Sequence, residues 1–176
     1  MQSMSSKNGD SIKGEHYEDI ANNYKHKLIS NAPPGTTSLH VCCDRYTTSS
    51  LKEAERKRRL GDKQKGKLYE VKDAFKAPDP TEFFSLSENK ANLLRYLCNR
   101  WSNEPMDGNI KLILAGGFDN IEHTMSVSDV GVELVDDLSS THEEADQRII
   151  LHIVYIYSTH QAQHTLIWAN DTGGLR

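Results

Sequence analysis

The sequence has few cysteines and no long hydrophobic run, and each absence excludes a class of protein. Its three cysteines include an adjacent pair, Cys42 and Cys43, inside an apolar stretch. This number and spacing fit neither a disulfide framework nor a zinc site, so reduced, buried thiols are expected. No apolar run approaches the length that spans a bilayer, and the first residues, MQSMSSKNGD, lack the apolar core of a signal sequence. We therefore expect no membrane association and a nuclear or cytoplasmic location.

The chain also has little excess charge, but the charges it has are unevenly distributed. A net charge of −4 over 176 residues does not by itself imply a charged partner. Residues 52–67 nevertheless contain eight cations against three acids, whereas residues 129–146 are strongly acidic. The length predicts one domain with a real core. We expect a disordered segment over residues 1–15 and a single domain over residues 16–176.

Hydrophobic periodicity predicts helices and strands that alternate along the chain. Helices are expected over residues 17–29, 50–60, 87–101 and 141–157. The runs SLHVCCD, NIKLILAGG and HTLIWAND are typical of strands, and HTMSVSDVGVELV indicates one further strand or a hairpin. Residues 61–82 are predicted to be a flexible, basic, proline-containing loop. This alternation favours an α/β domain with a mostly parallel sheet flanked by helices.

Acidic residues stand where such a sheet would place a ligand site. Asp44 and Asp171 end two predicted strands, and Thr141-His-Glu-Glu-Ala-Asp146 begins the helix that leads into the second of them. Ligands of parallel sheets lie at the carboxyl ends of the strands. Carboxylates that converge there repel one another unless a cation neutralises them, and Mg²⁺ and Mn²⁺ prefer oxygen ligands. A metal site is one interpretation of these acids.

A second interpretation of the acidic stretch needs no metal. Thr141 and Glu144 have the T-x-x-E spacing of a capping box, and acids in the first turn of a helix are favoured by its dipole. The basic run has a similar alternative, because Glu53 with Lys57 and Glu55 with Arg59 are favourable i,i+4 pairs that suit a solvated face. Both alternatives stay open at this stage.

Other candidate metal ligands and base-stacking side chains have simpler interpretations. The eight histidines show no metal spacing, and His142 and His152 are expected on a helix surface. Trp101 and Trp168 are expected to be core residues rather than platforms for base stacking.

The order of these motifs resembles the flap-endonuclease-like members of the PIN-like nuclease superfamily. HVCCDRYTTSSLKEAERKRRL resembles that family's strand ending in aspartate and its basic helix, and THEEAD followed by IWANDT resembles its second acidic cluster and later aspartates. The likeness covers residue 16 to the end and is greatest to nuclease-like proteins of unknown role in animal genomes. It implies a PIN-like three-layer fold that is incomplete at the N-terminal strand and at the C-terminal end.

The resemblance also implies roles for individual residues. Asp44, Glu144, Asp146 and Asp171 would be the catalytic residues and the ligands of Mg²⁺ or Mn²⁺. Lys52 and Arg59 would hold the scissile phosphate, with Arg56 and Arg58 as neighbouring candidates. Nucleic acid, DNA rather than RNA, would be the partner.

Two departures from the family pattern define the alternative function. No N-terminal strand supplies the first aspartate of the family, since Asp10 lies in a polar segment, and Gly173 stands where the family has a further aspartate. The expected function is therefore a divalent-metal-dependent phosphodiesterase, with a non-catalytic remnant that binds nucleic acid or a protein as the alternative. A partner strand from another protein or a second copy of the chain would complete the sheet.

Overall fold

The computed structural model describes residues 14–44, 66–106, 108–142, 144–160 and 164–167. The elements within these ranges are, in chain order, α1 (Tyr17–Ser30), β1 (Ser38–Cys42), α2 (Pro80–Phe83), α3 (Ser87–Ser102), β2 (Lys111–Ala115), β3 (Thr124–Val127), β4 (Val132–Leu134), a 3-10 turn (Asp136–Leu138) and α4 (Ala145–His160). Helices α1 and α3 and strands β1 and β2 lie where the periodicity predicts them. The expected helix over residues 50–60 lies outside the described residues.

The four strands form a mixed sheet in the order β1-β2-β3-β4. Only the β1–β2 pair is parallel, while β2–β3 and β3–β4 are antiparallel. The prediction of a mostly parallel sheet is therefore wrong. A parallel connection needs a crossover of about a dozen residues or more, and the short links after β2 and β3 leave no room for one. Of the two alternatives for residues 123–135, the hairpin is confirmed.

Helices flank the sheet on both faces. Alternate residues of β1 point to opposite faces and therefore contact different helices. Leu39 and Val41 pack on the main core, which contains α1 and α3 residues. His40, between them in sequence, contacts His152 of α4 on the other face. The main core is formed by buried side chains of the two helices together with Leu112, Leu114 and Val127 of the sheet.

Helices α1 and α3 carry most of this core. Tyr17, Ile20 and Ala21 are the buried residues of α1, and their spacing places them on one helical face. Trp101 of α3 is 3% exposed, and its indole Nε1 donates a hydrogen bond of 3.1 Å to the carbonyl of Ala21. The expectation that Trp101 is a core residue is confirmed, whereas Trp168 lies outside the described residues.

The described part of the predicted loop, residues 66–82, is hydrogen bonded to α3, and its last residues, 80–82, belong to helix α2, so the loop prediction is wrong there. Tyr96 Oη donates to Asp73 at 2.6 Å, and Asn89, which is fully buried, makes further bonds with its side chain. Its Oδ1 accepts from the amide of Tyr69 at 2.8 Å, and its Nδ2 donates to the carbonyls of Lys67 and Phe83 at 2.9 Å each. Helix α2 follows, capped by Asp79, whose side chain accepts from the amide of Thr81.

Both chain ends differ in part from the expectations. Residues 1–13 of the segment expected to be disordered lie outside the described residues, while Gly14 and Glu15 exchange backbone hydrogen bonds with Ala77. The last expected strand, HTLIWAND, is described only over residues 164–167, which are not in a strand. Among the described residues, no helix has the length and apolar character needed to cross a membrane.

Asn89→Ala is expected to lower the free energy of unfolding by about 2 to 4 kcal/mol, because it leaves buried backbone groups without partners. Amide exchange at Tyr69 should accelerate at the same time. The matched control is Asn99→Ala on the exposed part of the same helix, with an expected change of roughly 0.5 kcal/mol or less. Urea unfolding with equal losses in the two variants would contradict an anchoring role for Asn89.

Candidate functional site

The end of β1 and the start of α4 are joined by the carboxylate of Asp44. Asp44 lies two residues after β1 and is exposed. Its Oδ1 accepts a hydrogen bond of 2.9 Å from the amide of Ala145, the first residue of α4. The first amides of a helix have no partner within the helix, so an acceptor from another element satisfies one of them. Residues 101 positions apart are thereby brought into direct contact.

Helix α4 begins later than the sequence predicts. The expected start was Thr141, with Thr141 and Glu144 as a capping box, but residues 141 and 142 are not helical. Glu144 immediately precedes the helix, and its carbonyl accepts from the amide of Arg148 at 3.4 Å. The predicted start at Thr141 is therefore wrong, and the acceptor for the amide of Ala145 comes from Asp44, which no local pattern indicates. The helix also ends at His160 rather than at residue 157.

Arg148 holds the chain that leads into α4 in this non-helical conformation. Its side chain has no exposed surface. Nε donates to the carbonyl of His142 at 3.0 Å, and Nη2 donates to the carbonyls of Ile121 and Ser140 at 2.9 and 3.1 Å. A buried charge is costly unless it is hydrogen bonded, and these carbonyls supply the bonds. Arg148 thus joins the loop after β2 to the turn before α4.

Gly116, at the end of β2, makes room for this arrangement. It adopts a φ of +88°. A Cβ at this position would lie 2.8 Å from the carbonyl oxygen of Cys43 and 3.4 Å from Cζ of Arg148. A larger residue would therefore be strained in its backbone and would press on the β1 end and the guanidinium together.

Three of the four predicted metal ligands lie at the end of β1 and the start of α4, and the fourth is outside the described residues. Asp44 contacts the first turn of α4, Glu144 is half-buried just before that turn, and Asp146 is exposed within it. Asp171 lies outside the described residues. The predicted phosphate-binding residues Lys52, Arg56 and Arg59 lie outside them as well, as do Arg58 and Glu143. Within the described residues, no three His, Cys, Asp or Glu side chains form a group able to hold a metal.

A histidine pair, His40 and the buried His152, lies between β1 and α4, one helical turn beyond Arg148. His152 is 2% exposed, so its expected surface position is wrong; His142 is exposed but precedes the helix. The Nδ1 atoms of His40 and His152 are 2.8 Å apart. Burial, then the proximity of His40 and Arg148, lowers the pKa of His152 from 6.5 to about 3. His152 is therefore neutral at physiological pH.

The cysteines near this site are free thiols, as expected. Cys43 and Cys98 are buried, and Cys42 is half-buried. Burial raises the pKa of the Cys42 thiol to about 12. Cys42 therefore stays protonated at neutral pH and is a poor nucleophile.

No family model, curated protein or solved structure matches the chain. The resemblance to flap-endonuclease-like nucleases therefore stays a prediction that rests on the quoted motifs. The functional inferences below depend on the geometry of the β1 end and the α4 start.

We expect acidification to destabilise the protein through His152. Below pH 6.5 the unfolded chain binds a proton at this residue, whereas the folded chain does so only near pH 3. The free energy of unfolding should therefore fall as the pH is lowered, by about 2 kcal/mol between pH 7 and pH 5. His152→Gln should lose this dependence, while His26→Gln, at an exposed position on α1, should keep it. Urea unfolding across the pH range measures both, and equal pH dependence in all three proteins would contradict the expectation.

Asp44→Ala is expected to reduce the free energy of unfolding by about 1 kcal/mol, because the amide of Ala145 loses its acceptor. Asp44→Asn keeps an oxygen in the same place and should cost less. Thermal and urea unfolding at pH 7 without divalent cations provide the comparison. A loss in Asp44→Asn as large as that in Asp44→Ala would show that negative charge, rather than the hydrogen bond, stabilises the helix start.

Proposed function

We propose that this chain is a divalent-cation-dependent phosphodiesterase with a PIN-like, nuclease-related fold. Asp44, Glu144 and Asp146 would hold Mg²⁺ or Mn²⁺, together with Asp171. The observation that supports this most directly is the 2.9 Å hydrogen bond between Asp44 Oδ1 and the amide of Ala145. This bond joins the end of β1, which carries Asp44, to the start of α4, where Glu144 and Asp146 lie.

The donor set fits a hard cation. The three side chains offer only carboxylate oxygens, which Mg²⁺ and Mn²⁺ prefer. Asp44 uses Oδ1 for Ala145, and its Oδ2 makes no hydrogen bond to a described residue, which leaves that oxygen for a ligand. Asp146 is exposed and therefore accessible to a solvated ion. The N-terminus of α4 offsets part of the repulsion among the carboxylates before an ion binds.

A cation bound there would lower the pKa of a coordinated water and stabilise charge on the phosphoryl group. The chain's own part is to position the carboxylates. Asp44 is fixed by Ala145, and Glu144 follows the turn whose carbonyls Arg148 binds. Lys52, Arg56 and Arg59 would hold the phosphate of a nucleic-acid substrate, DNA in preference to RNA. Helices on both faces of the sheet support the PIN-like assignment within the same proposal.

A second candidate function is non-catalytic binding of nucleic acid or a protein. One observation favours it specifically: among the described residues, no three His, Cys, Asp or Glu side chains form a group able to hold a metal, and Asp44 already serves as the acceptor for Ala145. Acids at a helix start are stabilising without a metal, so the same carboxylates are accounted for by the helix alone. The basic residues 52–67 would then be the binding surface, and binding to nucleic acid would weaken as salt rises.

The first test is thermal unfolding with and without Mn²⁺. At about a hundred times the dissociation constant, a ligand adds about 2.7 kcal/mol, which raises Tm by about 5 to 10 °C in a domain of this size. Asp146→Ala should lose the shift. Asp19→Ala is the matched control, because Asp19 is an exposed acid in the first turn of α1. It should keep the full shift.

Cleavage separates the two functions. The phosphodiesterase requires Mn²⁺-dependent cleavage of DNA that Asp146→Ala abolishes and Asp19→Ala leaves intact. Salt-sensitive DNA binding without cleavage or a Mn²⁺ shift would support the non-catalytic function instead. Cleavage that persists in Asp146→Ala would reject this site.

A further inference from the structure

Strand β4 is an edge strand of the sheet, and two of its three residues direct their backbone groups outward. The amide of Val135 donates to Thr124 at 2.8 Å, and the amide of Ser128 donates to Gly131 at 2.9 Å. In an antiparallel ladder the hydrogen-bonded pairs alternate, so Gly131, Glu133 and Val135 face β3. The amides and carbonyls of Val132 and Leu134 therefore point away from the sheet. They make no hydrogen bond to any described residue.

The same two residues extend the apolar face of the sheet beyond its cover. Val132 and Leu134 lie on one face of β4, opposite Val127 and Met125 of β3. Val127 is completely buried in the main core, whereas Val132 and Leu134 are each 43% exposed. Val132 and Leu134 thus continue this face of the sheet beyond the main core, to which they do not belong. An added strand needs unpaired backbone donors and acceptors to pair with and apolar side chains to cover, and β4 offers both.

The charged side chains on β4 and beside it in sequence are all acidic. Residues 112–147 contain no lysine or arginine. Four exposed acids lie on β4 or next to it, namely Asp129, Glu133, Asp136 and Asp137. A second copy of this strand would bring acids against acids, which is destabilising in a strand pair. A segment with lysine or arginine beside apolar residues would be complementary.

We infer that the outer edge of β4 binds an extended, basic segment of a protein partner, which adds to the sheet as a fifth strand. Its backbone pairs with Val132 and Leu134. Alternate apolar side chains of the segment cover those two residues, and its cations face the surrounding acids. This surface is separate from the carboxylates at Asp44 and α4, so the inference goes beyond the proposed function and does not depend on it.

Fluorescence anisotropy with a labelled peptide, Lys-Val-Lys-Val-Lys-Val-Lys, tests the inference on the full chain. Saturable binding that weakens with salt is expected, together with no binding of the matched peptide in which Glu replaces Lys. Val132→Pro removes an outward amide without removing a β3–β4 bond and should weaken binding about tenfold. Val154→Ala, at an exposed site on α4, should have no effect.

Glu133→Lys provides a second variant in case the proline prevents folding. It reverses one charge at the edge and should also weaken binding of the basic peptide. Equal binding of the two peptides, unchanged binding in both edge variants, or no binding of the basic peptide would overturn the inference. So would a concentration-dependent dimer that Val132→Pro abolishes, because a second copy would then be the occupant of the edge.

Discussion

The buried guanidinium of Arg148 is the constraint on which the carboxyl end of the sheet depends. A charge with no exposed surface must be surrounded by acceptors, and three backbone carbonyls from two separate segments meet that need. The carbonyls of Ser140 and His142 accept hydrogen bonds from Arg148, so the turn that contains them cannot extend α4 towards its N-terminus. The position of Arg148 also sets the rotation of α4. His152 lies one turn further along and therefore faces His40 of β1.

The acids at the start of α4 satisfy two demands at once. A helix start favours negative charge and needs acceptors, and Asp44 supplies both from a neighbouring strand. A cation would find oxygen ligands in the same place. The two uses are compatible, because a carboxylate has two oxygens and the amide of Ala145 takes only one. The structural role of Asp44 and the proposed metal-binding role thus differ in what binds its second oxygen, and the arrangement of the backbone is common to both.

The parts of the fold that depend on local pattern could be predicted from the sequence. The apolar face of α1, with Tyr17 and Ile20, and the short run of β2 have one clear interpretation each. The direction of the strands could not be predicted in this way, because it depends on the lengths of connections whose ends the sequence does not define. The burial of His152 was also missed. Apolar residues occur on every side of α4, so periodicity does not reveal which face meets the sheet.

The candidate site was predictable in its residue types and not in its contacts. Asp44 and the acids of α4 stand out as carboxylates after a strand and before an apolar run. The hydrogen bond that joins them connects residues far apart in sequence, and the three acceptors of Arg148 are backbone groups that carry no side-chain signature. An arginine directly before the apolar run of a helix was the one available signal of a buried cation.

The parallel β1–β2 pair has a consequence for the order of folding. Its partners are far apart along the chain, Ser38 with Lys111 and Cys42 with Ala115, while β2, β3 and β4 are close neighbours. Closing a long loop costs entropy before any contact is made. The pairing of the neighbouring strands β2, β3 and β4 therefore has a lower kinetic barrier than the pairing of β1 with β2. We expect β2–β4 to gain protection first in pulse-labelled hydrogen exchange, with β1 joining late. The contacts of Asp44 and His40 with α4 would then form only in the last stage, when β1 takes its place at the edge of the sheet.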